Sequence, residues 1–133
     1  MEADSNRIMQ VIYNILCNAI KFSKNVSDLV VSITVQKIDN DEVIVNIKDN
    51  GTGIDLQILP KLFTKFATKS QTGTGLGMFI SRSIIEAHGG KIWAKNNDFD
   101  ANSGGGATFT FSLPLTIPGK KETGGTTGDA SKL

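Results

Sequence analysis

Apolar positions recur along this chain with two periods, and each change of period marks an element. From Asp4 to Phe22, Ile8, Ile12, Ile15, Leu16 and Ala19 fall at helical spacing and predict an amphipathic helix. Asp4 or Ser5 can cap its start. Leu29 to Ile38 switches to alternation, with Leu29, Val31, Ile33 and Val35 on one face. Asp39-Asn40-Asp41 makes a tight connection, and Val43 to Lys48 returns as the second strand of a β-hairpin. Leu56 to Phe66 is apolar but interrupted by Pro60, which predicts short helical pieces. Residues 67–72 are polar and without period, the mark of a loop. A second helix is expected from Leu76 to His88, with Leu76, Ile80, Ile84 and Ala87 buried and Gly89-Gly90 stopping it. Lys91 to Lys95 reads as a short strand. Ala107 to Leu113 alternates most clearly, setting Ala107, Phe109, Phe111 and Leu113 against Thr108, Thr110 and Ser112, and Pro114 ends it. The polar stretch after it predicts one domain over residues 1–116 and a disordered tail over 117–133.

Three places break these patterns in ways that suggest chemistry. Continuing the alternation of the second strand puts Asp49 on the apolar side, where a carboxylate is costly without a hydrogen-bond partner. Asp49-Asn50-Gly51-Thr52-Gly53 is then either a pocket floor that accepts a hydrogen bond from a ligand, or an ordinary Asn-Gly turn. On the first helix, Arg7, Gln10, Asn14, Asn18 and Lys21 share one line. Asn is a poor helix former, so two of them one turn apart suggest a hydrogen-bonded seam or an oxygen site for a cation; a plain surface stripe is the alternative. Gly73-Thr74-Gly75-Leu76-Gly77 opens the second helix and would expose amides suited to phosphate oxygens. It matches neither the P-loop nor the dinucleotide-binding glycine pattern.

Composition narrows the class without naming it. With 39% hydrophobic and 20% charged residues in 133, the chain is an ordinary globular domain. A net charge of +1 gives no case for nucleic acid or an anionic membrane surface. The single cysteine, Cys17, lies within the first helix's apolar pattern and is expected to pack rather than react. No apolar run approaches the ~20 residues of a membrane span and no signal peptide is visible, so a cytoplasmic setting is expected. Met1-Glu2-Ala3 reads as the start of a segment excised from something larger.

Taken in order, the three breaks resemble the ATP-binding catalytic domain of sensor histidine kinases, whose Bergerat-type fold is shared with gyrase B, MutL and the large heat-shock chaperone. NRIMQVIYNILCNAIKFS is similar to the N-box, DNGTGI to the first glycine box, LFTKF to the phenylalanine box, GTGLGM to the second glycine box and GGGATFTFSLP to the closing strand. SIIEAHGGKIWA also resembles the segment next to the second glycine box in these kinases. The resemblance covers Asn6 to Leu113. It implies an α/β arrangement, an α+β two-layer sandwich with a mixed sheet of about five strands and three main helices on one face. ATP or ADP would lie between helices and sheet, with Mg²⁺.

The resemblance also implies roles. Asp49 would accept from the adenine amino group, and Gly51 and Gly53 would let backbone approach the base beside Ile54. Asn18 would hold Mg²⁺, Asn14 would support metal and phosphates, and Lys21 would reach the phosphates. Amides of Gly75, Leu76 and Gly77 would bind phosphate oxygens. Residues 64–74 would form a nucleotide lid, anchored by Phe63 and Phe66, with Lys69, Gly73 and Thr74 beside the nucleotide. Ala107 and Thr108 would lie near adenine. Here the chain departs from the family, which often has Thr or Ser at the position of Ala107 to hold a water. Hydrolysing relatives carry a Glu at the position of Asn14, and an amide is no general base.

The resemblance therefore implies transfer of the γ-phosphoryl group to a histidine on a separate dimerisation and phosphotransfer domain, and from there to a response-regulator receiver domain. His88, the one histidine, is expected to be a structural helix end. The isolated domain is expected to be a monomer without nucleic-acid or membrane contact, whether or not the parent protein is membrane-anchored. A gyrase-like or chaperone-like ATPase, and a module that senses nucleotide without catalysis, are the rival readings.

Overall fold

In the computed structural model the described residues are 4–21, 23, 27–39, 41–65, 76–98 and 105–115. Helix α1 spans Ser5–Lys21. Asp4 caps it as expected, its Oδ1 accepting from the amides of Asn6 and Arg7. Val11, Ile15 and Ala19 are fully enclosed, and Ile8, Ile12 and Leu16 pack around them. The outer face carries Met9, Tyr13, Cys17 and Ile20, all exposed. Cys17 therefore does not pack in the core, contrary to expectation. It sits one turn from Tyr13 and hydrogen-bonds it, which with its charge and slight desolvation raises the phenol pKa.

Strands β1 (Val31–Ile38), β2 (Glu42–Asp49), β3 (Ile92–Asn96) and β4 (Ala107–Pro114) form a sheet in the order β1-β2-β4-β3. All three pairings are antiparallel. The expected α+β class is thus present. The described residues give four antiparallel strands rather than a mixed sheet of about five. They also give two α-helices and a short 3₁₀ turn rather than three main helices. Asp39, at φ 55°, turns the β1–β2 hairpin.

β2 and β4 are the centre of the sheet. Val45, Ile47, Phe109 and Phe111 are buried, with Ile47 opposite Phe109 and Val45 opposite Phe111. β1 is at one edge of the sheet, and its apolar face is largely uncovered, Ile33 being 49% and Val35 65% exposed. Leu29 precedes the strand. An edge strand has a neighbour on one side only, so alternation alone cannot say whether its apolar face is covered.

After β2 the chain makes a turn held by Asp55, whose carbonyl accepts from the amides of Ile58 and Leu59. Pro60 sits at the start of the 3₁₀ turn Leu59–Lys61, where its missing amide costs nothing. Ile54, Ile58 and Leu62 are buried, while Leu56 is 77% exposed.

Helix α2 spans Gly77–Ala87. Its buried residues are Met78, Ser81, Ile84 and Ile85. The expected stripe of Leu76, Ile80, Ile84 and Ala87 is rotated, and Ala87 is exposed. The reason is Ser81, whose hydroxyl donates to the Gly77 carbonyl and so can be enclosed where α2 meets α1.

Candidate nucleotide-binding site

The site is built where the end of β2, the turn after it and the start of β4 converge. Asp49 is 5% exposed and lies on the core side of β2, as the alternation predicts. Its burial is compensated by the backbone. Oδ1 accepts from the amide of Gly51 at 2.9 Å and from the amide of Ala107 at 3.1 Å. Oδ2 takes no hydrogen bond from a described residue. Oδ2 is the acceptor that a ligand amino group would meet.

Three glycines lie in the two turns that meet at this carboxylate, and each is fixed by a neighbour. A Cβ on Gly51 would collide with the Ser23 hydroxyl oxygen. Ser23 is 5% exposed, and its hydroxyl has no partner among the described residues. Gly53 has φ +86°, and a Cβ there would stand 2.9 Å from Asn96 Oδ1. Gly106 has φ +94° and lies against the Asp49 carbonyl. The first two were expected to be glycine so that backbone could approach a base. In the structure the protein's own packing already requires it.

Side-chain amides tie the surrounding segments together, a role that periodicity and motif spacing do not reveal. Asn50 Oδ1 accepts from the Val30 amide and its Nδ2 donates to the Asp28 carbonyl. Asn96 pairs with both backbone groups of Ile54. Asn97 donates to the Asp49 and Gly105 carbonyls and accepts from the Thr108 hydroxyl. Thr108, expected near adenine, is thus turned toward Asn97. Ala107 is 1% exposed and contributes its amide. Asn in a turn has such backbone pairing as its common use, which was the available signal.

The polar line of α1 runs beside the start of α2. Asn14 Nδ2 donates to the Gly77 carbonyl and to the Ser81 hydroxyl, each at 3.2 Å. Among the readings open for this line, a hydrogen-bonded seam is therefore realised at Asn14, whose amide oxygen accepts from no described residue. Gln10, Asn14, Asn18 and Lys21 are all half-buried. The first-turn amides of α2 have no acceptor within the helix and suit phosphate oxygens. Leu76 is the residue preceding that turn.

Among the described residues no cluster of three His, Cys, Asp or Glu could hold a metal. Asn14 and Asn18 offer hard amide oxygens, and Mg²⁺ commonly takes one or two protein oxygens with phosphates and water. The donor set fits a metal that arrives with the nucleotide.

Phe66, Lys69, Gly73, Thr74 and Gly75 lie outside the described residues, as do most of the expected lid and the expected tail. At the near end of that segment, Lys65 Nζ lies 5.1 Å from the centroid of the Phe79 ring on α2.

His88 ends α2 and is occupied at both ring nitrogens. Nδ1 donates to the Ile84 carbonyl at 2.8 Å, and Nε2 accepts from the Asp4 amide at 3.1 Å. It ties the end of α2 to the start of α1, in keeping with the structural role expected of it.

Comparison with known proteins agrees with this geometry. The family model of histidine kinase-, DNA gyrase B-, and HSP90-like ATPases matches residues 3–117. The sensor protein FixL of Bradyrhizobium diazoefficiens is 40% identical over 112 residues, 84% of this chain and 21% of that protein. The sensor histidine kinase WalK of Bacillus subtilis is 37% identical over 120 residues, 86% of this chain and 19% of that protein. The chain thus spans about a fifth of the length of these relatives. Among solved structures, the catalytic domain of histidine kinase ThkA superposes with a TM-score of 0.71 at 37% identity, over 88% of this chain and 72% of that one. Full-length ShkA in complex with AMPPNP gives a TM-score of 0.69 at 28% identity, over 86% of this chain and 23% of that one. The chain belongs to the family of histidine kinase-, DNA gyrase B-, and HSP90-like ATPases, and within it is an ATP-binding catalytic domain of the sensor histidine kinase type.

Proposed function

We propose that this domain binds Mg²⁺-ATP and donates the γ-phosphoryl group to a histidine on a separate dimerisation and phosphotransfer domain of its parent protein. The observation that carries the reading is Asp49, buried, with one oxygen fixed by two amides and the other left to a ligand. An acceptor held in this way suits the adenine amino group. The phosphates then extend toward the α1–α2 seam, where the first-turn amides of α2 receive their oxygens and Lys21 adds a point charge. Asn18, with the oxygen of Asn14, supplies ligands to the metal, which neutralises charge on the phosphates. Phosphoryl transfer asks little else of the protein beyond positioning and electrostatics.

Asn14 argues for transfer over hydrolysis. Its amide nitrogen is committed to Gly77 and Ser81, and an amide has no basic site for deprotonating water. His88 is unsuited as acceptor, with both ring nitrogens engaged at the end of α2 opposite the phosphates. A receiver domain of a response regulator would take the phosphoryl group onward. The isolated domain acts as a monomer.

Phosphate release by the chain alone tests the choice between transfer and hydrolysis. Very slow turnover is expected with saturating Mg²⁺-ATP. Appreciable steady turnover without any partner would move the reading to a gyrase-like ATPase.

A further inference from the structure

We infer that the tandem pair Asn96-Asn97 is a positioning device for nucleotide recognition, holding the two segments whose amides fix Asp49. The inference rests on the reading of Asp49 as the group that meets the base. β3 pairs with β4 as far as Asn96 opposite Ala107, and there the regular ladder stops. Beyond it, side chains take over the function of a neighbouring strand.

Asn96 does so for the turn after β2. Its Oδ1 accepts from the Ile54 amide at 2.6 Å and its Nδ2 donates to the Ile54 carbonyl at 3.0 Å. That is the pair of hydrogen bonds a strand residue would make, here delivered to the residue after Gly53, whose positive φ glycine readily adopts. Asn97 does so for the other wall. Its amide nitrogen donates to the Asp49 carbonyl at 3.0 Å and to the Gly105 carbonyl at 3.2 Å. Its oxygen accepts from the Thr108 hydroxyl at 2.6 Å, and its backbone amide donates to the Gly106 carbonyl at 2.8 Å. One side chain thus ties the end of β2, the turn before β4 and the second residue of β4 to each other.

The consequence lies at Asp49 Oδ1. It needs the Gly51 amide from one segment and the Ala107 amide from the other. The separation of those two donors is set by how the segments are held, and Asn96 and Asn97 each hold one. Both side chains are engaged with other parts of the protein, so we assign them an action through Asp49.

The test uses Asn96→Ala, Asn97→Ala and the isosteric Asn97→Asp, with Asp49→Asn as reference. Affinities for ATP, ADP and adenosine are measured well below each variant's melting midpoint, with hydrogen exchange at the Gly51 and Ala107 amides in the free protein. All three positioning variants should lose about five- to thirtyfold in affinity. The loss should be equal for the three ligands, because it acts at the base. Exchange at both amides should quicken. Asn97→Asp should be no better than Asn97→Ala, since a carboxylate keeps the shape but cannot donate to two carbonyls. Wild-type affinity and exchange in the folded variants, with only the melting midpoint lowered, would overturn the inference. Wild-type binding by Asp49→Asn would bring down the reading of Asp49 itself, so the two failures are told apart.

Discussion

A side chain at Gly106 would run into the carbonyl oxygen of Asp49 and stand 2.7 Å from its carboxylate Oδ1. The turn into β4 is therefore pressed against the carboxylate it helps to hold, and the Ala107 amide reaches Oδ1 because no side chain protrudes from Gly106. Adjacent glycines should respond in opposite ways. Gly106→Ala adds strain at φ +94° and a backbone collision, and should cost on the order of 1–3 kcal/mol. A Cβ on Gly105 meets nothing within 4 Å, so Gly105→Ala should stay within about 0.5 kcal/mol of wild type. Urea unfolding of the two variants checks this; equal losses would contradict the packing described.

Asp49→Asn should fold yet bind adenine nucleotides poorly. The Gly51 and Ala107 amides both point at Oδ1, so the substituted amide must keep its oxygen there. Its NH₂ then occupies the Oδ2 position and faces the adenine amino group, donor against donor. Losing a charged hydrogen bond costs ~1.5–3 kcal/mol, or roughly ten- to a hundredfold in affinity. Calorimetric titration with ATP and ADP should show the loss for both. Near wild-type affinity would remove Asp49 from the site.

Much of this arrangement is legible in the sequence, because periodicity and its breaks are local. Continuing an alternation finds Asp49, and the same rule finds Phe109 and Phe111. The features that escape it depend on distant partners. Nothing local to Lys95-Asn96-Asn97-Asp98 says that two amides reach Ile54 and Asp49, 42 and 48 residues away. Gly105 and Gly106 look alike in sequence, and only the fold shows that Gly106 is pressed on Asp49 while Gly105 is open. The burial of Ser81 could not be read from a hydrophobic stripe either, since it depends on a hydroxyl satisfied across the α1–α2 contact. Exposure of Ile33 and Val35 is a result of strand order, which alternation does not encode.

Asn18→Ala should weaken ATP binding chiefly when Mg²⁺ is present. Asn18 lies one turn beyond Asn14 on the half-buried line of α1 and has no hydrogen bond to a described residue that would explain its retention in the seam. Its amide oxygen suits a hard cation. Titrations with Mg²⁺ and with chelator separate the metal contribution from the rest. The same Mg²⁺ dependence in variant and wild type would show that Asn18 is not a ligand.

Transfer of label tests the central claim most directly. The chain is incubated with Mg²⁺ and ATP labelled in the γ-phosphoryl group, alone and with the parent protein's dimerisation domain. In-line transfer requires the acceptor at near-contact distance. His88 lies beyond the last residue of an eleven-residue helix, roughly 16 Å along its axis from the first turn at 1.5 Å per residue. The chain alone should stay unlabelled and release phosphate very slowly. With the partner present, acid-labile label should appear on that domain's histidine and nowhere else. Label on His88, or rapid phosphate release with no label on the partner, would contradict the account.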